Sequence, residues 1–193
     1  MKPLHANEKE IIRRAQAGDE YAFEELIQVY SPVLYRVVRR MSCDPQETEL
    51  IVQEAFWRTW RSLGKYNNDA PFFPYLVTIA LNLQRDLWRK EKGYSETDVE
   101  VESTQIKDTK PDPEKLSEER EVMEYLEDGI NQLPPIYRSV IALRYQGEMS
   151  YDEIAKALKL PLNTVRTYLF RAKQLLRKYM EEAQNGQAGF IPG

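Results

Sequence analysis

Apolar residues recur at helical spacing along most of the chain. Ala22, Phe23, Leu26, Tyr30, Val33, Leu34, Val37 and Met41 return every three or four residues, which places them on one stripe of a long helix entered through Gly18 and a capping Asp19. Asp44, Pro45 and Glu47 then supply an N-cap, a proline at the first helical position and a capping-box glutamate, so a second helix begins there. Val52, Ala55, Phe56 and Thr59 form its inner face, and Gly64 ends it. After the turn-rich residues 65–69, a third helix starts between Pro71 and Pro74, carries Leu76, Ile79, Ala80, Leu83 and Leu87 inward and finishes in residues 88–92.

The C-terminal part repeats this texture with sharper signals. Val122, Leu126, Ile130 and Leu133 form a stripe that Pro134 and Pro135 interrupt, and Val140, Ile141 and Leu143 continue a following helix as far as Gly147. Ser150, Tyr151, Asp152 and Glu153 make a complete capping box ahead of a short helix with Ile154, Ala155 and Leu158 on its buried face. Residues 159–163 are a tight connection, and a last helix is expected from Thr164 to about Ala183. No segment alternates with the period of a strand, so the fold class is all-α.

Charge divides the chain. Residues 1–92 hold 14 basic and 13 acidic side chains, residues 93–117 hold 3 and 7, and residues 118–193 hold 10 and 11. The middle segment has no helical period and carries Pro111 and Pro113 near its end, which predicts a flexible acidic linker between two small helical domains. A surface loop of that length inside one compact fold would be unusual. The tail, residues 184–193, is expected to be disordered.

Two short helices joined by a tight turn form a helix-turn-helix, whose second helix can enter the DNA major groove. At about 100° per residue, Val165, Leu169, Ala172 and Leu176 share one narrow face of the last helix, while Thr167, Phe170, Arg171 and Gln174 point the opposite way and Arg166 flanks them. Residues 164–180 contain Arg166, Arg171, Lys173, Arg177 and Lys178 and no acid. In a chain of net charge -4 that concentration is the electrostatic footprint of a DNA-binding helix. An ordinary solvated face would mix both signs, as the neighbouring Glu181 and Glu182 do.

Composition removes other classes. Cys43 and His5 are the sole residues of their types, which leaves no intrachain disulfide, no Cys or His zinc site and no histidine-based catalytic scheme. Eight glycines provide no phosphate-cradling loop, and scattered carboxylates form no catalytic constellation. The expectation is therefore a non-enzyme without cofactor, metal or small-molecule substrate. No apolar run approaches the roughly 18 residues of a membrane span, and the first residues lack a signal-peptide core, so a cytoplasmic location without membrane insertion is expected.

The residues also carry a family resemblance. Leu133-Pro134-Pro135-Ile136-Tyr137-Arg138, Leu143-Arg144-Tyr145, Ser150 to Ala155, Leu158, Pro161, Thr164-Val165 and Leu169-Phe170-Arg171-Ala172 resemble region 4 of extracytoplasmic-function (ECF) sigma factors. Gly18 to Phe23, Gln53-Glu54-Ala55-Phe56, Trp60, Tyr75-Leu76, Ile79-Ala80, Asn82, Asp86 and Arg89 resemble region 2 of the same family. The resemblance implies a dissociable subunit of bacterial core RNA polymerase that directs promoter-specific initiation. Region 2 would occupy residues 1–92, binding the polymerase clamp and the minus-ten element. Region 4 would occupy residues 118–183, sitting on the polymerase flap and reading the minus-thirty-five element.

Roles follow by position. Gln53 and Glu54 are the implied clamp contacts, with Leu50 on the same face, whereas Phe56 and Trp60 read as core. Asn82, Asp86, Arg89 and Lys90 fall in the segment that should meet the minus-ten strand. Phe73 and Tyr75 either stack on exposed bases there or belong to the core. Thr164, Arg166, Thr167, Phe170, Arg171, Gln174 and Lys178 are the implied minus-thirty-five contacts. Four positions depart from the family pattern. Leu50 replaces an acid, Leu81 stands where arginine is common, Asn163 where glycine is common and Tyr168 where arginine is common. Promoter DNA, core polymerase and an anti-sigma factor are the expected partners. A stand-alone helix-turn-helix regulator, or a sigma mimic that titrates an anti-sigma factor, are the competing readings. The first leaves the region 2 pattern unexplained, and the second leaves the basic recognition helix unexplained.

Overall fold

The computed structural model describes residues 7–42, 44–92 and 118–184. The expected acidic linker 93–117 and the tail beyond Gln184 lie outside the described residues. Every regular element among the described residues is helical: α1 (Glu8–Gln16), α2 (Glu20–Ser42), α3 (Pro45–Ser62), α4 (Phe72–Lys92), α5 (Glu118–Gln132), α6 (Pro135–Ile141), α7 (Tyr151–Leu158) and α8 (Leu162–Gln184).

The N-terminal unit packs α1, α3 and α4 around α2. Gly18 separates α1 from α2 at φ +94°, a backbone conformation that L side chains rarely adopt. Asp19 then caps α2 by accepting from the Ala22 N–H at 3.1 Å. All eight residues of the expected α2 stripe are buried, and the helix continues past Pro32. Asp44 caps α3 by accepting from the Glu47 N–H at 2.9 Å, with Pro45 opening the helix. Phe56 is buried, and Trp60 packs beside it against Phe23, with ring centroids 4.8 Å apart. Helix α1 is the element the stripe reading did not separate. Its Glu8 lies under Tyr30 of α2 and accepts a hydrogen bond from the phenol.

In the C-terminal unit, α5 and α6 pack on α8, and α7 packs on α8 across the helix-turn-helix. The stripe expected on α5 holds only at its C-terminal end: Leu133 is buried, whereas Val122 is 47% exposed. The reason lies at Gly129. A Cβ there would stand 2.7 Å from a ring carbon of Tyr179, so α5 meets α8 through the glycine, and its first turns project past the contact. Helix α6 passes into one π-helical turn, Ala142–Gln146, closed by Gly147 N–H donating to the Ala142 carbonyl at 2.9 Å. Ser150 and Glu153 form the reciprocal capping box of α7. Lys159 ends that helix in the left-handed region, at φ 57°.

The two units are in contact. Helices α2 and α4 meet α6, the π turn and α7, and one continuous apolar cluster runs from Ile11 to Tyr179.

Candidate nucleic-acid interface

Three helical faces display the residues singled out above. The first is on α8. Val165, Leu169 and Ala172 are fully buried, so their side of the helix is fixed to the body of the unit. Arg166, Thr167, Phe170, Arg171, Gln174 and Lys178 are exposed on the rest, while Thr164, at the first turn, is half-buried. Phe170 is 62% exposed, which leaves apolar ring surface in water that a partner can cover. The Thr167 hydroxyl donates to the Asn163 carbonyl at 2.9 Å, leaving its lone pairs outward. Lys178 lies 3.6 Å from Glu182, so its charge is shared within α8. Arg177 pairs with Glu181 at 2.8 Å, and residues 164–180 themselves contain no acid.

Both flanks of α8 are held by aromatic contacts. On one side Tyr168 sits edge-on to Tyr137 of α6, above a groove lined by Pro134, Ile136, Arg171, Gln174, Leu175 and Lys178. On the other, the Lys173 ammonium sits 5.5 Å from the centroid of the Tyr145 ring. A hydrogen bond with Tyr145 raises the lysine pKa above its ordinary value, which keeps the ammonium charged. Tyr145 itself is 53% exposed. Tyr145 and Lys173 were each noted in the sequence, but not as partners. Their pairing joins the π turn to the middle of α8, and no local period reveals it.

The second face is on α3. Leu50 is 64% exposed and Trp57 56% exposed. Gln53 is exposed, and Glu54 accepts from Arg58 at 2.8 Å, one turn along. Trp57 lies seven residues after Leu50 and four after Gln53, so the three share one face. That spacing was available in the sequence, but a tryptophan at helical period with Phe56 and Trp60 nearby reads first as core. Arg58, Arg61 and Ser62 complete a shallow pocket beside Trp57.

The third face is on α4, where the sequence left Phe73 and Tyr75 open between base stacking and core. Phe73 is 1% exposed, stacked on Tyr30 with centroids 5.8 Å apart. Tyr75 is half-buried, hydrogen-bonded to the Ser62 hydroxyl at 2.6 Å and packed on Tyr66. Neither ring is free to stack on a base in this conformation, because each fills a gap between helices. Asn82 is half-buried and accepts from Arg85 at 2.8 Å. Asp86 and Arg89 are about half exposed and 3.9 Å apart, and Lys90 lies in the last turns of the same helix.

The chain is thus a two-unit helical protein whose C-terminal unit is a helix-turn-helix with a basic outward face. Residues 26–94 match the family described as Sigma-70 region 2, and residues 123–176 match Sigma-70, region 4. The ECF RNA polymerase sigma factor SigW of Bacillus subtilis is 33% identical over 181 residues, covering 90% of this chain and 97% of that protein. The RNA polymerase sigma-H factor of Pseudomonas aeruginosa is 29% identical, covering 90% and 94%. Among solved structures, CnrH in complex with the cytosolic domain of CnrY shares the fold at TM-score 0.62 and 23% identity, covering 90% of this chain and 97% of that one. The chain belongs to the ECF sigma factors of the sigma-70 family. It is a promoter-specific transcription initiation factor that works with RNA polymerase and promoter DNA. No helix among the described residues is long and apolar enough to cross a membrane.

Proposed function

We propose that the three faces divide the work of initiation. The α3 face, Leu50, Gln53, Glu54 and Trp57, docks on the polymerase clamp. Asn82, Asp86, Arg89 and Lys90 of α4 meet the minus-ten strand. On α8, Arg166, Thr167, Phe170, Arg171 and Gln174 read the minus-thirty-five duplex, with Thr164 and Lys178 at its edges. Residues 1–92 and 118–183 act as the two binding units, residues 93–117 as the acidic connection through the nucleic-acid channel, and 184–193 as a tail. The protein works in the cytoplasm as a binding subunit without catalysis of its own, and an anti-sigma factor is its regulatory partner. Among proteins of this fold, RpoE of Bartonella quintana has been solved with the anti-sigma factor NepR, and CnrH with the cytosolic domain of CnrY.

The observation that carries this reading is the outward face of α8. An exposed phenylalanine and an arginine are held on a helix locked from behind by Val165, Leu169 and Ala172, in a stretch, residues 164–180, that carries five cations and no acid. Arginine can pair with guanine edges and an apolar ring can meet thymine methyls, while surrounding cations attract phosphate. The test is run-off transcription of fragmented genomic DNA by core polymerase. Discrete transcripts that depend on this protein are expected. A protein that binds promoter fragments alone yet never joins polymerase would favour a stand-alone regulator instead.

A further inference from the structure

The shallow pocket beside Trp57 holds a charge that the protein itself does not answer. Glu54, Trp57, Arg58, Arg61 and Ser62 of α3 line it. Glu54 is taken up by Arg58, 2.8 Å away, and the Ser62 hydroxyl by the Tyr75 hydroxyl and the Arg58 carbonyl, at 2.6 and 2.7 Å. Arg61 is exposed and has no ion-pair or hydrogen-bond partner among the described residues. The Trp57 ring, 56% exposed, stands one turn before it, and residues four apart are neighbours on a helix surface. Leu50, Glu54, Trp57 and Arg61 fall within about 60° around the helix axis, so the guanidinium ends a row that begins at the apolar Leu50. An exposed tryptophan beside an unanswered arginine is the composition found at the centre of protein interfaces.

We propose that this pocket receives an acidic side chain of the polymerase clamp, whose carboxylate pairs with Arg61 while its apolar stem lies against the Trp57 ring. The pocket acts within the clamp docking of α3 proposed above, and that reading is its premise. A planar guanidinium meets a carboxylate through two parallel hydrogen bonds, and an aromatic wall that excludes water strengthens the pair. Nucleic acid is the other anion within reach of an initiation factor, and the α3 face does not suit it. Glu49 is exposed and Glu54 half-buried on the same helix as Arg58 and Arg61, whereas α8 sets five cations and no acid across residues 164–180. A face of both signs around Leu50 and Trp57 fits a protein surface that carries the opposite signs in register. Arg61 also lies in the last turn of α3, where a cation opposes the negative end of the helix dipole. That effect is felt in stability and not in polymerase binding, so the two roles separate.

The test measures competition of full-length variants for core polymerase, beside their melting curves. Arg61→Ala should weaken polymerase binding about tenfold and Arg61→Glu about a hundredfold, because the reversed charge faces the partner's carboxylate. Both losses should shrink as salt screens the pair, and both proteins should melt near the wild-type temperature, since the position is exposed. Arg61→Lys keeps the charge and supplies an amine. A zero-length carbodiimide, which joins an amine to a carboxylate, should link that variant through position 61 to an Asp or Glu of the clamp, identified by mass spectrometry of the linked peptide. Wild-type polymerase affinity in Arg61→Glu would overturn the pairing, as would absence of the link in a bound Arg61→Lys complex. Weaker promoter DNA binding by the assembled polymerase, with no loss in polymerase affinity, would make Arg61 a phosphate contact and overturn it too. The clamp reading fails by a separate result, unchanged polymerase affinity in Trp57→Ala.

Discussion

Tyr168 of α8 lies edge-on to Tyr137 of α6, with ring centroids 5.5 Å apart and planes at 62°. The contact fixes the roll of the recognition helix against the body that carries it. Such aromatic pairs contribute about 0.5 to 1.5 kcal/mol beyond the area they bury. Tyr168→Ala should therefore destabilise the protein by about 1 to 2 kcal/mol and lower promoter use, whereas Tyr168→Phe should keep both near wild type. Urea denaturation of the full chain measures the first effect and promoter-dependent transcription the second.

The exposure of Leu50 settles what a charge there should do to folding. A carboxylate at a position 64% exposed stays hydrated, so Leu50→Asp should leave the folding free energy within about 0.5 kcal/mol of wild type and leave polymerase affinity equal or higher. Trp57→Ala should likewise spare the fold but weaken polymerase binding about tenfold or more, as expected of a large aromatic contact at an interface. Melting curves and competition for core polymerase separate the two effects.

Asp19 gives the fold an acid limit. The Ala22 N–H and the Arg14 guanidinium hold its pKa below the ordinary 3.8. A carboxyl with a depressed folded pKa adds stability above its unfolded value and loses it as pH falls through the folded one. Wild-type melting temperature should thus fall more steeply below about pH 4 than that of Asp19→Asn, which keeps a capping side chain without the titration. Parallel curves for the two proteins in that range would contradict the assignment.

Much of this was legible in the sequence because local signals and burial agreed. The α2 stripe, the Asp44 and Ser150 caps and the inward row of α8 each combine a helix start with a period that the core fills. Tertiary choices were less legible. Gly129 reads as a weak point in a helix, yet it is the place where α8 approaches. Phe73 and Tyr75 were open to either reading from the sequence, and only the tertiary structure puts Phe73 against Tyr30 and half-buries Tyr75 against Tyr66. Trp57 escaped notice because period alone does not tell an inner face from an outer one when aromatics lie on both. In the contact between the two units, Arg85 and Arg40 meet residues over 70 positions away, and no local pattern encodes that.

On α8, Arg171 and Lys178 should behave differently. A bidentate arginine on guanine gives about 1 to 3 kcal/mol of discrimination, so Arg171→Ala should lower transcription and relax base preference at one minus-thirty-five position. Lys178, already beside Glu182, should meet only phosphate. Lys178→Ala should weaken all promoters alike and make the salt dependence shallower by about one unit of slope. Transcription from a minus-thirty-five library at two salt concentrations reads both, and a uniform loss for Arg171→Ala would make it a phosphate contact.

The most direct measurement is transcription by core polymerase and this protein from a template library randomised across the whole upstream region, followed by sequencing of the templates that yield transcripts. Two separate enriched elements are expected, one near minus-ten and one near minus-thirty-five, at a fixed spacing, and both should vanish when the protein is left out. Transcripts without enrichment at either element, or enrichment that persists without the protein, would contradict promoter-directed initiation.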